Sequence, residues 1–250
     1  MQTARNRRKH RTSEIPKTDK YKKQEIETSA AIQARADHAV GCVPHLLRAA
    51  AAQMNIVTLN IGSGGQKVLL FSNKQGRRDA NLAKEPAWEA KIDTTAPDQP
   101  AGKLFVFVKV NGAPRRLELG RSSTIEERLH FVFDLMTRAD TQALNELSEV
   151  DAVAHRVVHG GSKYSEAVEI DERVEKEIDR LGSLSPLHNP AQLLGVKAAK
   201  KKFGPTVPQI AIFDTAFHRS LPQEAKTYAG PFNWIEKGII RYGFHGSSFR

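Results

Sequence analysis

Short apolar runs separated by glycine-rich turns set the pattern of the chain from residue 54 onward. Asn55–Leu59 reads as a buried strand, Asn60–Gln66 is a Gly/Ser turn, and Lys67–Phe71 predicts a second strand closed by a turn at Asn73–Gly76. Residues 84–103 are rich in Pro, Asp and Thr and read as a loop. Leu104–Val110 is a strand, Asn111-Gly112 is a strong hairpin signal, and Arg115–Leu119 returns. The period then changes. Ile125, Leu129, Val132, Phe133 and Met136 fall on one face of a helix. Val153–Val158 is a strand, Glu172–Leu181 a short charged helix, and Gln209–Phe213 another buried strand. Asn189 followed by Pro190 predicts an N-cap with proline at the first helical position, opening a helix to about Phe203. Antiparallel strands followed by alternating helix and strand predict a mixed sheet with helices packed on it, and no internal repeat is visible.

Composition changes this picture little in the body and much at the start. With 250 residues, 40% apolar and 26% charged, the chain has ordinary globular usage and room for one or two domains. The net charge of +10 is unevenly spread. Residues 1–53 hold eleven Lys/Arg against five Asp/Glu, and the rest hold 27 against 23. Apolar residues are scarce in the first 23 positions, which predicts a disordered basic leader. Clustered Lys/Arg also neutralise phosphates, so nucleic-acid binding is the alternative, but Tyr21 is the one aromatic among them and a solvated tail is favoured. The leader fits a secretory signal poorly, because Pro44, His45 and Arg48 break its alanine-rich stretch, and Glu14, Asp19, Glu25 and Glu27 weaken a transit-peptide reading. A second methionine, Met54, immediately precedes the first strand-like run, so the leader also fits a gene-start artefact. The single cysteine, Cys42, excludes an internal disulfide framework and a cysteine zinc site. No apolar run approaches the ~18 residues of a membrane span.

Five segments carry candidate chemistry. Asn60-Ile61-Gly62-Ser63-Gly64-Gly65-Gln66-Lys67 is a Gly-rich turn whose backbone N–H groups can approach an anion, with a lysine following. A strand and not a helix comes next, so it is neither the usual strand-to-helix phosphate loop nor a dinucleotide fingerprint, and alone it reads equally as a hairpin. In His155-Arg156-Val157-Val158-His159-Gly160-Gly161 the valines argue for a strand and against a helical metal pair, with Arg156 and Val158 on one face. Arg156 can pin a carboxylate or phosphate bidentately; the bland alternative is a surface ion pair. Ser185-Pro186-Leu187-His188-Asn189-Pro190 is a helix entrance, where a histidine can donate to an anion or the loop can simply cap. Asp214, after Ile210-Ala211-Ile212-Phe213, stands at the carboxyl end of a buried strand, where open sheets place ligand and metal groups. Tyr242-Gly243-Phe244-His245-Gly246-Ser247-Ser248 places a histidine in a Gly-rich loop.

Taken in series, these five segments resemble the acetate/propionate/butyrate kinase family, over residues 54–250 and not over the leader. The resemblance implies an α/β chain of ribonuclease-H-like architecture, as in the actin and sugar-kinase superfamily, with a first domain at 54–214 and the start of a truncated second domain at 215–250. It implies a cytoplasmic phosphotransferase moving the γ-phosphoryl of ATP reversibly to acetate, with Mg²⁺. In that family's terms Gly62, Ser63 and Lys67 face the ATP phosphates, and Asn60 and Asp214 serve the metal. Arg156, Asp214 and His245 are the catalytic groups. Arg156 and His188 hold the reacting anions, while Val158, Leu187 and Phe244 form the methyl pocket. The sequence departs from the family where Gly64, Gly65 and Gln66 replace two serines and a leucine, and where Phe249 replaces a histidine. The adenine site, a second arginine, a metal-binding glutamate and the usual homodimer surface would belong to residues beyond Arg250. A non-catalytic anion-binding or regulatory remnant of such a kinase is the second reading.

Overall fold

The computed structural model describes residues 54–73, 85–95, 103–110, 112–120 and 123–246. The expectations for residues 1–53, for the turn after position 73, for Asn111 and for positions 247–249 lie outside those residues. Among the described residues, eight strands form one mixed sheet in the order β5-β4-β3-β2-β1-β6-β8-β7. Strands β1 (Met54–Gly62), β2 (Gly65–Asn73), β3 (Trp88–Asp93), β4 (Lys103–Val110) and β5 (Ala113–Gly120) run as an antiparallel meander. On the other side of β1 lies β6 (Ala152–Val157), parallel to it, then β8 (Gln209–Phe213), parallel to β6. The two-residue β7 (Val168–Glu169) closes that edge antiparallel to β8.

The turns follow from the residues that make them. Gly62 pairs with Gly65 across a two-residue turn, and a Cβ on Gly65 would stand 2.0 Å from the Ile92 carbonyl oxygen of β3, so no larger residue lets β2 and β3 come this close. Val110 pairs with Ala113 across the predicted tight hairpin, where Gly112 takes φ +87°.

One expectation is overturned. The stretch 84–103 is not all loop: it contains β3, which reaches neighbours on both sides. Trp88, Ala90 and Ile92 alternate inward with Glu89, Lys91 and Asp93 between them, a period of two too short to stand out beside the surrounding Pro, Asp and Thr. The Trp88 indole is fully buried, and its Nε1 donates to the Thr141 carbonyl at 3.0 Å. Trp88→Phe is expected to cost about 1–3 kcal/mol, since it strands that buried carbonyl as well as removing ring area; urea denaturation measures it.

Helix α1 (Ile125–Leu135) starts with a capping box, Thr124 Oγ1 accepting from the Glu127 N–H and Glu127 Oε2 from the Thr124 N–H. Its Leu129, Val132 and Phe133 enter the main core with Val57, Leu59, Val68, Leu70, Val106 and Val108 of one sheet face. Helix α2 (Glu172–Arg180), capped by Asp171, and helix α3 (Asn189–Phe203) close a second core around Val157, Ala211 and Phe213. Helix α3 serves both cores, with Ala198, Ala199 and Phe203 in the first and Leu193 and Val196 in the second. After β8 come two one-turn helices, α4 (Gln223–Lys226) and α5 (Asn233–Glu236), in a segment that exposes Tyr228, Phe232, Trp234 and Ile239.

Candidate active site

Strands β1, β6 and β8 are mutually parallel, so their carboxyl ends meet at one edge of the sheet, the position where open α/β sheets gather ligand-binding groups. Asn60 lies near the end of β1, Arg156 is the penultimate residue of β6, and Asp214 follows β8 directly, opening a 3₁₀ turn at Asp214–His218. Arg156 joins the three. Its Nη2 donates to Asp214 Oδ2 at 2.6 Å, its Nε lies 3.1 and 3.2 Å from the two carboxylate oxygens, and its Nη1 donates to Asn60 Oδ1 at 3.0 Å. The Asp214 side chain is 0% exposed and that of Arg156 17%. This is a fork-to-carboxylate pair and not the surface ion pair that the motif alone left open.

Helix α3 is pinned to this edge by two amide side chains. Gln192 Oε1 accepts from the Val158 N–H at 2.9 Å, and its Nε2 donates to the Ile61 carbonyl at 3.2 Å. Asn189 Oδ1 accepts from the His159 N–H at 3.1 Å, and its Nδ2 donates to the carbonyls of His159 and Ile178 at 3.0 and 3.2 Å. Asn189 is therefore the first residue of the helix and not its cap, a position taken by His188, so that Pro190 moves to the second helical position. The physical reason is that Asn189's side chain is consumed across the core, where it satisfies the backbone at the end of β6. Gln192 was not singled out from sequence, though a glutamine on the helix face that also carries Leu193 and Val196 was the available signal.

His188 stands at the amino end of the 15-residue helix α3, and its Nδ1 is buried with no hydrogen-bond partner among the described residues. A buried ring nitrogen left unpaired beside the positive end of a helix dipole can donate to an anion in the tautomer that protonates it. His245 takes φ 54°, the single non-glycine in the left-handed region among the described residues, a conformation held only where the surroundings impose it. Those surroundings are close: a Cβ on Gly246 would lie 2.3 Å from both the Asp214 carbonyl oxygen and Phe217 Cβ, so only glycine lets this loop reach the Asp214 backbone. Burial holds the His159 imidazole below its ordinary pKa, and its ring makes edge contacts with Tyr242 at 4.5 Å and Phe244 at 5.6 Å.

The other predicted residues have varied settings. Val158 is buried, Leu187 is 76% exposed and Phe244 40%. Lys67 stands opposite Asn60 in the β1–β2 register and pairs with Glu89 at 2.9 Å. Gly62 and Ser63 sit at the β1–β2 hairpin tip, where Ser63 is exposed.

No cluster of three His, Cys, Asp or Glu suited to a metal occurs among the described residues. The Asp214 carboxylate and the Asn60 amide oxygen nevertheless offer an all-oxygen pair with a single charge. That suits Mg²⁺, which keeps most of its waters and takes its remaining ligands from substrate phosphates.

The model of the acetokinase family matches residues 55–250. The chain belongs to the acetokinase family. Among similar proteins are the acetate kinases of Trichormus variabilis, 41% identical over 197 residues, and of Gloeobacter violaceus, 39% identical over 197. The matches cover 78% and 79% of this chain, and the chain spans about half the length, 47%, of each of these curated relatives. Solved structures agree. An acetate kinase from Porphyromonas gingivalis superposes with TM-score 0.64 at 30% identity, over 77% of this chain and 45% of that one. A propionate kinase from Francisella tularensis gives 0.63 at 28% over the same shares. The ribonuclease-H-like, mixed-sheet architecture implied by the motifs is thus the architecture present. No helix among the described residues is long and apolar enough to cross a membrane.

Proposed function

We propose that this acetokinase-family chain carries the acyl-and-phosphoryl wall of an ATP:acetate phosphotransferase, with 54–214 as its first domain and 215–250 as the start of a second. The observation that supports the reading most is the Asn60–Arg156–Asp214 constellation at the ends of three parallel strands. Acetate and the terminal phosphate of ATP are both anions, and the barrier to their reaction is largely electrostatic. Transfer proceeds with negative charge spread over the equatorial phosphoryl oxygens, so groups already fixed in place stabilise it without reorganising. Arg156 is such a group. Asp214 and Asn60 hold its plane, and its partial exposure leaves it accessible to an anion at the sheet edge. His188 Nδ1 and His245 are the further donors for phosphoryl oxygens. Asn60 and Asp214 would hold Mg²⁺, which when bound supplies charge neutralisation between the phosphates. Lys67, Gly62 and Ser63 are assigned to the ATP phosphates, and Val158, Leu187 and Phe244 to the methyl side of acetate. A methyl pocket distinguishes acetate from propionate by only about 1–3 kcal/mol, in keeping with neighbours of both kinds.

Acetyl phosphate formation from ATP and acetate by the purified chain tests this. Whatever turnover the chain supports without the residues assigned beyond Arg250 is expected to fall by at least about 10²-fold in Asp214→Asn; turnover indifferent to that substitution removes Asp214 from the mechanism. The second reading, an anion-binding remnant, is supported by the match to about half of each relative. Acetate binding that Arg156→Lys weakens, with no turnover in any form of the chain, would decide for it.

A further inference from the structure

Beside Thr215 lies a cleft of about 190 Å³ that none of Asn60, Arg156, Val158, His188, Asp214 or His245 lines. Arg219, Lys226 and Arg241 line it, together with Ser162, Ser165 and Thr215, and no carboxylate side chain does. The three cations are held in place by neutral groups. Arg219 Nη1 donates to the Ser165 carbonyl and Lys226 Nζ to the Arg219 carbonyl, each at 3.2 Å, and the Arg241 guanidinium lies over the Tyr228 ring at 5.1 Å. The Arg241 N–H also donates to the Lys226 carbonyl at 2.7 Å, tying the two basic residues together. No Asp or Glu pairs with any of the three among the described residues.

Three like charges line one small concavity, Arg219 and Arg241 exposed and Lys226 half-buried, and an anion entering among them relieves their mutual repulsion. Tyr164, Leu221 and Ile240 supply apolar wall beside them. A cleft of this size is well below the ~300 Å³ at which drug-sized and nucleotide ligands begin to fit. We propose that this cleft is a second anion site, separate from the Arg156–Asp214 centre, which takes a small oxyanion: a phosphate group or a short carboxylate, its charged end on Arg219, Lys226 and Arg241. Its floor residue Thr215 follows Asp214 directly and accepts from the Gly160 N–H through Oγ1 at 3.0 Å, so an occupant would sit one residue from the acid of the other site.

Calorimetric titration of the purified chain with inorganic phosphate and, separately, with butyrate tests the proposal. Saturable binding of at least one anion is expected, with Kd on the order of 1 mM. Ser162→Glu sets a carboxylate among the cations from an exposed position that leaves the fold alone, and Arg241→Gln removes one cation; each is expected to weaken binding about tenfold or more. Arg156→Lys is expected to leave unchanged the binding component that Ser162→Glu removes. Preference for phosphate marks the occupant as a phosphoryl group, preference for butyrate as a carboxylate. Absence of saturable binding of either anion up to about 50 mM overturns the proposal. So does binding that survives Ser162→Glu, or that Arg156→Lys weakens equally, because the anion then sits at the other centre.

Discussion

Arg156→Ala is expected to destabilise the chain by about 3–5 kcal/mol, the largest loss from any single substitution at the sheet edge. The magnitude comes from what remains behind. Asp214 is wholly buried, and Arg156 meets both of its carboxylate oxygens, so truncation leaves the charge without its guanidinium in a place where water does not reach. At about 2–4 °C per kcal/mol for a chain of this size, the melting temperature should fall by roughly 6–20 °C. Arg156→Lys should recover part of this, keeping a positive charge but losing the two-pronged fit and the bond to Asn60. The decisive measurement is a double-mutant cycle. If the pair is coupled as the geometry requires, Arg156→Met with Asp214→Leu should be far less destabilised than the two single variants added together, since removing both charges removes the desolvation penalty. Additive losses would mean that the ion pair does not hold this edge of the sheet together.

The contrast between what was legible in the sequence and what was not has a physical pattern. Elements with strong local signals were readable: the Ile125–Met136 stripe gave α1, the Asn111-Gly112 signal the β4–β5 hairpin, and the apolar run before Asp214 gave β8. β3 was missed because six residues of alternation carry little weight between proline-rich flanks, and its evidence is non-local: pairing with β2 and β4 and a hydrogen bond from Trp88 to Thr141, 53 residues away. The site shows the same division. Asn60, Arg156 and Asp214 were each singled out from their surroundings, yet their convergence follows from three strands running parallel side by side, which no local spacing encodes. Asn189 was misread as a cap because an asparagine before a proline is locally the best cap available. The bonds to His159 and Ile178 that overrule it reach 30 and 11 residues back.

Acidification from pH 7.5 to 4 is expected to remove about 3 kcal/mol of stability through one side chain, His155. Its imidazole is entirely buried in β6, with Nε2 2.6 Å from Gln209 Oε1, and burial depresses its pKa from 6.5 to about 4, a shift that the Gln209 bond only partly opposes. The sign follows from proton counts. Between about 4 and 6.5 the unfolded chain binds a proton at this site and the folded chain does not, so the stability of the folded state is fully present above pH 6.5 and declines as pH falls toward 4. The drop from 6.5 to about 4, at about 1.36 kcal/mol per tenfold change in proton affinity, gives the stated magnitude. Carboxylates held low by their partners, such as Glu126 by Lys201 and Asp171 by the Val174 N–H, add their own losses at the acid end of the same range. A variant therefore has to isolate the histidine. His155→Gln keeps a donor for Gln209 and has nothing to protonate. The difference in unfolding free energy between wild type and variant, from urea titrations at half-unit intervals, should change by about 3 kcal/mol in the variant's favour between pH 7.5 and 4. Parallel curves for the two proteins would show that His155 takes up its proton while folded, and that the end of β6 carrying Arg156 is open to water.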